Sequence, residues 1–269
     1  MNDVLLDVQA LDMTFGGIKA IEGLSLQVRR RQITSVIGPN GAGKTTLFNC
    51  LTGFYQPSGG DLRLHHPAHG TLQLQHLATR DVARKAGVVR TFQNIRLFPR
   101  MTVLENLIVA QHNALQRASW FSVAAILGLK VYRDAQQAAL EKALAHLRRL
   151  DLERFADEPA GALSYGIQRK VELARALCVD PLLLCLDEPA AGLNPRESAE
   201  LNECLQGLVS EHDLSVLLIE HDMSVVMNIS DHIHVLCYGR KIAEGTPQQI
   251  QNDDQVIAAY LGNPDEEVA

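Results

Sequence analysis

One junction constrains this chain more than any other feature. Ile33–Ile37 is a short apolar run that ends in Gly38-Pro39-Asn40-Gly41-Ala42-Gly43 and passes directly into Lys44-Thr45-Thr46-Leu47-Phe48-Asn49-Cys50-Leu51. Strand, glycine loop and helix in that order give GxxxxGK[ST] the context that makes the motif meaningful. The glycines let successive backbone N–H groups converge on phosphate oxygens, and the helix start adds a favourable dipole. Lys44 then neutralises charge on the β- and γ-phosphates, and the Thr45 hydroxyl is a ligand for Mg2+. A chance match in a chain this long is about a 1% event, so a plain glycine turn is set aside.

The flanking sequence predicts an α/β chain. From Leu5 to Ile37 the pattern is strand-like, clearest where Leu24, Leu26 and Val28 alternate with Ser25, Gln27 and Arg29, and Gly16-Gly17 reads as a hairpin turn. Pro57–Gly70, rich in Gly, Pro and His, reads as turns, and Val88–Phe92 as a short strand. Between about Thr102 and Leu152 the character changes, with Leu140, Leu144, Leu147 and Leu150 at helical spacing. After Leu163 the α/β rhythm returns. A helix is expected over Ser164–Cys178, a strand over Leu182–Leu186, a helix over Arg196–His212, a strand over Ser215–Ile219, and a strand pair around Ile233–Ala243. No internal repeat or low-complexity linker separates these parts, so the helical middle is read as an insertion in one fold.

Two strand ends carry reactive side chains. Leu182–Leu186 delivers Asp187 and Glu188 where ligands collect in open α/β sheets, with Asp187 suited to holding Mg2+ through water and Glu188 to acting as general base. Ser215–Ile219 runs into Glu220-His221-Asp222, which makes His221 a candidate γ-phosphate contact. Leu163-Ser164-Tyr165-Gly166 opens a helix with Ser164 at the N-cap, a small-residue start fit to receive an anion.

Composition excludes several classes. The 269 residues are 46% hydrophobic and 21% charged, an ordinary globular make-up for one large domain, and the net charge of −6 argues against a broad phosphate-backbone grip. The five cysteines form no CxxC pair, so neither a disulfide framework nor a thiolate zinc site is expected. No apolar run approaches the roughly 18 residues that cross a bilayer, and the acidic start does not read as a signal peptide. Trp120–Leu129 is the most apolar segment, read as a buried helix or a surface that meets a membrane partner.

The order of phosphate loop, Gln93, Leu163–Arg169, Asp187-Glu188 and His221 resembles the ATP-binding cassette family over nearly the full chain. The resemblance implies a P-loop NTPase (RecA-like) core with an N-terminal antiparallel β subdomain and an inserted helical subdomain. It divides the single domain into a nucleotide-binding core at 1–93 and 180–269 and a helical part at 94–179 that includes the signature segment. It implies ATP and Mg2+ as cofactors. Gly38, Pro39, Asn40, Gly41, Ala42, Gly43, Lys44, Thr45 and Thr46 would cradle the phosphates, Phe15 would stack on adenine, and Gln93 would contact Mg2+ and relay to the membrane subunit. Ser164 and Gly166 would serve the ATP held by another subunit, so two sites need two chains. Tyr165 and Ile167 stand where the signature has Gly and Gln, and Asn194 where Asp is more usual.

At a finer level, Arg90–Phe98, Met101–Asn106, Asp187–Pro195 and the ending from Gly245-Thr246-Pro247 to Ala259–Gly262 are similar to the LivG-type ATPase subunits of branched-chain amino acid importers, and so is the long insertion Gln111–Arg133. This likeness implies a peripheral subunit on the cytoplasmic face of the inner membrane. Its expected partners are a second cassette subunit, two transmembrane permeases and, indirectly, a periplasmic or extracellular substrate-binding protein; no nucleic acid is implied. A heterodimer is expected, with a homodimer open. Urea and short-chain amide importers, the lipopolysaccharide exporter, a soluble cassette ATPase and a cassette that binds ATP without hydrolysing it are the rival readings.

Overall fold

A computed structural model of the chain describes residues 3–112, 130–211 and 213–261. Ten strands follow in order: β1 Val4–Phe15, β2 Ile18–Arg29, β3 Ile33–Ile37, β4 Gly59–His66, β5 Gly70–Gln73, β6 Val88–Arg90, β7 Leu183–Asp187, β8 Ser215–Ile219, β9 His232–Cys237 and β10 Arg240–Gly245. The described α-helices are α1 Lys44–Leu51, α2 Thr79–Lys85, α3 Val103–Ala110, α4 Lys130–Arg149, α5 Tyr165–Leu177, α6 Pro195–Glu211, α7 Met223–Ile229, α8 Pro247–Gln251 and α9 Asp254–Leu261. Trp120–Leu129 and most of Gln111–Arg133 lie outside the described residues.

The chain divides into two compact units, one made of Met1–Arg90 with Pro181–Ala269, the other of Thr91–Asp180. The first holds two sheets. One is antiparallel in the order β2-β1-β4-β5, and the other runs β10-β9-β3-β8-β7-β6. In the second sheet β9, β3, β8, β7 and β6 are parallel, with β10 the antiparallel edge. Every residue of β3, β7 and β8 is buried, because a parallel sheet covered on both faces has no wet side and its strands read as continuous apolar runs. On one face a core joins this sheet through Val36, Cys185 and Leu217 to Leu47, Phe48 and Leu51 of α1 and to Leu6, Leu26 and Leu64 of the antiparallel sheet. On the other, Ile37, Ile233 and Val235 pack under Val226 of α7, Ile250 of α8 and Val256 of α9.

Two expectations need correction. Most of Pro57–Gly70, read as turns, is strand β4: Leu62 and Leu64 face the core and pair with Val8 and Leu6 of β1. Gly60 lets it in, since its φ is +90° and a Cβ there would stand 2.4 Å from the Ala10 carbonyl oxygen. The strand read as Val88–Phe92 stops at Arg90.

The second unit is helical. Thr102 accepts from the Glu105 backbone N–H at 3.1 Å while Glu105 accepts from Thr102 N–H at 2.8 Å, a reciprocal cap that starts α3. In α4 the buried stripe is Ala139, Ala143 and Leu147, followed by Leu150, with Leu140 and Leu144 only half-buried. Small residues on the buried side let α4 approach α3 and α5, both of which it packs against. Asn106, fully buried, accepts from Phe98 N–H at 2.8 Å and donates to the Thr102 carbonyl at 2.9 Å, fixing the loop before α3.

Gly60→Ala is expected to cost about 2 kcal/mol through left-handed backbone strain and the Ala10 clash. That lowers the thermal midpoint by roughly 4–8 °C in circular dichroism, and an unchanged midpoint would contradict the close approach.

Candidate functional site

Parallel register decides where the chemistry gathers. β3 pairs with β8 and β8 with β7, all running the same way, so their C-terminal ends lie side by side. The glycine loop leaves β3, Glu220-His221 leaves β8, and Asp187-Glu188 closes β7. Three adjacent strand ends therefore meet at one rim of the sheet.

The loop is held by contacts that only glycine tolerates. Gly43 caps α1 at a φ of +99°, and a Cβ on it would lie 2.7 Å from the Ala20 carbonyl oxygen. Gly239, at the turn between β9 and β10, meets the same carbonyl from the other side, and its N–H donates to Ala42 O at 3.1 Å. A Cβ on Gly38 would stand 2.0 Å from Leu236 O, so β9 presses on the loop's first residue. Lys44 is buried and curls back, donating from Nζ to Gly38 O at 2.7 Å and Pro39 O at 2.9 Å. Burial pushes its ammonium below the usual lysine range, opposed by the carboxylates of Glu188 and Asp187. Thr45 is exposed at the loop's open side.

Asp187 has a partner that sequence reading missed. Arg90 of β6 donates to Asp187 Oδ2 at 2.6 Å and to Asn49 Oδ1 of α1 at 2.5 Å, and both charged side chains are less than a tenth exposed. Glu188, next along, has a φ of +48°, an uncommon backbone state for a side chain and one that concentrates at functional sites. Its N–H donates to Ile219 O of β8 at 2.8 Å, and its Oε1 stands 2.7 Å from His221 Nε2. Glu220, also missed, is buried and accepts from Ala190 N–H at 2.7 Å, tying the segment after Glu188 to the end of β8. Burial raises the Glu220 carboxyl above its usual range, while the Ala190 and His221 amides oppose that shift.

At the far end of β1, Phe15 is half exposed and meets Tyr55 edge to face at 5.1 Å, an aromatic corner open to a flat ring. Tyr260 of α9 accepts a hydrogen bond from the Gly38 backbone.

In the second unit, Ser164 caps α5 without a side-chain hydrogen bond to it and is exposed, Gly166 is buried and Ile167 half-buried. Arg169 is buried and donates to Phe92 O at 2.8 Å, to Glu172 Oε2 at 3.0 Å, to Tyr165 Oη at 3.0 Å and to the carbonyl of Gln93. Tyr165, foreign to the expected signature, is thus a tether for the arginine that holds the backbone of exposed Gln93 to α5. Each missed partner is distant in sequence, Arg90 standing 97 positions from Asp187, and no local pattern pairs them.

The donor set fits Mg2+: the Thr45 hydroxyl and the Asp187 carboxylate, whose Oδ2 takes Arg90, are the hard oxygens that ion prefers.

Residues 21–191 match the family model for the ABC transporter, and residues 240–266 match that for the branched-chain amino acid ATP-binding cassette transporter. The chain is 50% identical to the high-affinity branched-chain amino acid transport ATP-binding protein BraF of Pseudomonas aeruginosa, across 97% of this chain and 99% of that one. It is 48% identical to LivG of Escherichia coli over the same shares. Among solved structures, a nucleotide-free ATP-binding cassette from an ABC transporter superposes with a TM-score of 0.79 at 30% identity, covering 97% of this chain and 100% of the other.

Arg90→Ala leaves the Asp187 carboxylate buried and uncompensated, so a loss of about 3 kcal/mol or more in urea unfolding is expected. A loss below 1 kcal/mol would show that the pair carries no such weight.

Proposed function

The chain belongs to the ABC transporter family of ATP-binding cassettes, and from that premise we propose that it hydrolyses ATP to drive uptake of branched-chain amino acids through partner permeases. The observation that carries this reading is the meeting of the glycine loop, Asp187-Glu188 and His221 at three adjacent parallel strand ends. The cargo rests on the relatives above, both named for branched-chain amino acid transport.

Backbone amides within Asn40–Thr46 bind the β- and γ-phosphates, and Lys44 exchanges its two carbonyl partners for phosphate oxygens. Phe15 takes the adenine ring, with Tyr55 holding it from the side. Thr45 and Asp187 would hold Mg2+, which when bound would screen charge on the phosphates. Glu188 takes the proton of the attacking water, and His221 orients that carboxylate through its 2.7 Å contact, then offers Nε2 to the γ-phosphate. Ser164, whose hydroxyl is not spent on its own helix, and Gly166 close over the ATP held by a second cassette subunit. Arg169 links that segment to the backbone of Gln93, where the permeases dock. The assembly works at the cytoplasmic face of the inner membrane, and among the described residues no helix is long and apolar enough to cross it.

Glu188→Gln is expected to keep ATP binding and lower turnover by about two orders of magnitude or more. Near-normal turnover would mean that the base lies elsewhere. Lys44→Ala should instead weaken ATP affinity in calorimetry, and unchanged affinity would remove the lysine from the phosphate site. For the transport role, tagged Glu188→Gln protein is purified from native membranes with Mg-ATP, and its companions are identified by mass spectrometry. Two polytopic permeases and a second cassette are expected; recovery from cytosol alone, or with ribosomal proteins, contradicts the importer reading.

A further inference from the structure

Away from the phosphate loop, β1, β2 and the β9–β10 hairpin enclose a cavity of about 310 Å3. His232 and His234 of β9 and Glu244 of β10 line it, and one ligand atom from each lies within 4.8 Å of the others. His234 is 1% exposed, and its Nε2 faces the carbonyl oxygen of Gln27 on β2 at 3.1 Å. A carbonyl only accepts, so Nε2 carries the proton and Nδ1 carries the lone pair. Nδ1 has no hydrogen-bond partner, yet it stands 3.0 Å from Glu244 Oε2, a carboxylate oxygen that is itself an acceptor.

Two acceptors held this close require something positive between them. A proton held on Nδ1 is one answer and a metal ion another. Lys241 meets Glu244 Oε2 at 2.7 Å and satisfies the carboxylate without satisfying the imidazole. A cation with affinity for imidazole nitrogen satisfies both. A histidine whose other ring N–H is anchored on a backbone carbonyl is also the usual form of a metal-binding histidine.

We propose that His232, His234 and Glu244 form a binding site for a first-row divalent transition-metal ion, zinc foremost, separate from the nucleotide site. Two imidazoles and a carboxylate suit zinc, whereas Mg2+ and Ca2+ take oxygen ligands. Ligands about 2.0–2.2 Å from a tetrahedral zinc stand roughly 3.3–3.5 Å apart, close to the His234–Glu244 spacing, and His232 draws inward to complete the set. Water fills the fourth position. The ion clips β9 to β10 and, through the Gln27 contact, steadies the hairpin against β2. Lys241 competes for the same carboxylate oxygen and sets the affinity.

The test uses the full chain, stripped with a chelator and titrated with Co2+ as a spectroscopic probe and with Zn2+ in competition with a chromophoric chelator. Expected is one equivalent of Co2+ with tetrahedral d–d absorption and no thiolate charge-transfer band, which separates this site from the five cysteines. Half-buried His232 and exposed Glu244 are the sites to change, since removing His234 would open a hole in the core. His232→Ala and Glu244→Gln should each weaken Zn2+ about tenfold or more. Lys241→Gln, which alters only the competitor, should tighten it several-fold. Absence of a bound ion, a thiolate band, or affinity indifferent to all three substitutions would overturn the proposal.

Discussion

The backbone of Gly43 and that of Gly239 both come up against the carbonyl of Ala20, and the nucleotide end of the molecule depends on that packing. A loop that is to bind phosphate through amides needs those amides aimed in advance, because ordering them at the moment of binding would consume the energy the contacts release. β2 supplies the carbonyl, the β9–β10 turn supplies the second glycine, and Leu236 presses on Gly38. The antiparallel sheet and the hairpin are thus the mould against which the loop is cast. Lys44, folded onto Gly38 and Pro39, holds a positive charge inside the loop.

Charge at the rim is organised in two layers. Arg90 lies beneath, pinned between Asn49 of α1 and Asp187 of β7, and so ties the helix that follows the loop to the strand that carries the acids. Glu188 and His221 are more exposed and in contact with each other, with Glu188 in a left-handed backbone state that turns its side chain out of the strand's course. Buried Glu220 braces that turn through Ala190. The Arg90–Asp187 charge is satisfied and hidden, while that of Glu188 stays nearer solvent.

Much of this could be read from sequence where the signal is local. β3 and β8 agree with their expected bounds residue for residue because a strand buried on both faces is a bare apolar run. The Gly16-Gly17 hairpin followed from turn chemistry, and α5 starts after Ser164 as expected, although the serine side chain makes no cap bond to the helix. β4 was misread because Gly59, Gly60 and the following histidines look like turn residues, and only β1 across the sheet reveals what Leu62 and Leu64 face. Arg90, Glu220, Tyr55 and Arg169 escaped for the same reason: each matters through a partner brought near by folding. The imidazole of His234 belongs with them, since its neighbour Gln27 is 207 positions away.

A preformed phosphate cradle, with the aromatic corner adding to it, is tested most directly by comparing nucleotides that differ only in phosphate number. ATP, ADP and AMP are titrated calorimetrically into the wild-type chain with Mg2+ present. Strong binding of ATP and ADP with AMP weaker by about a hundredfold or more is the expected result, since AMP keeps the adenine and loses the β- and γ-phosphates that the loop and Lys44 grip. Comparable affinity for all three would contradict the account, leaving the glycine loop as a turn and the adenine contact as the whole of binding.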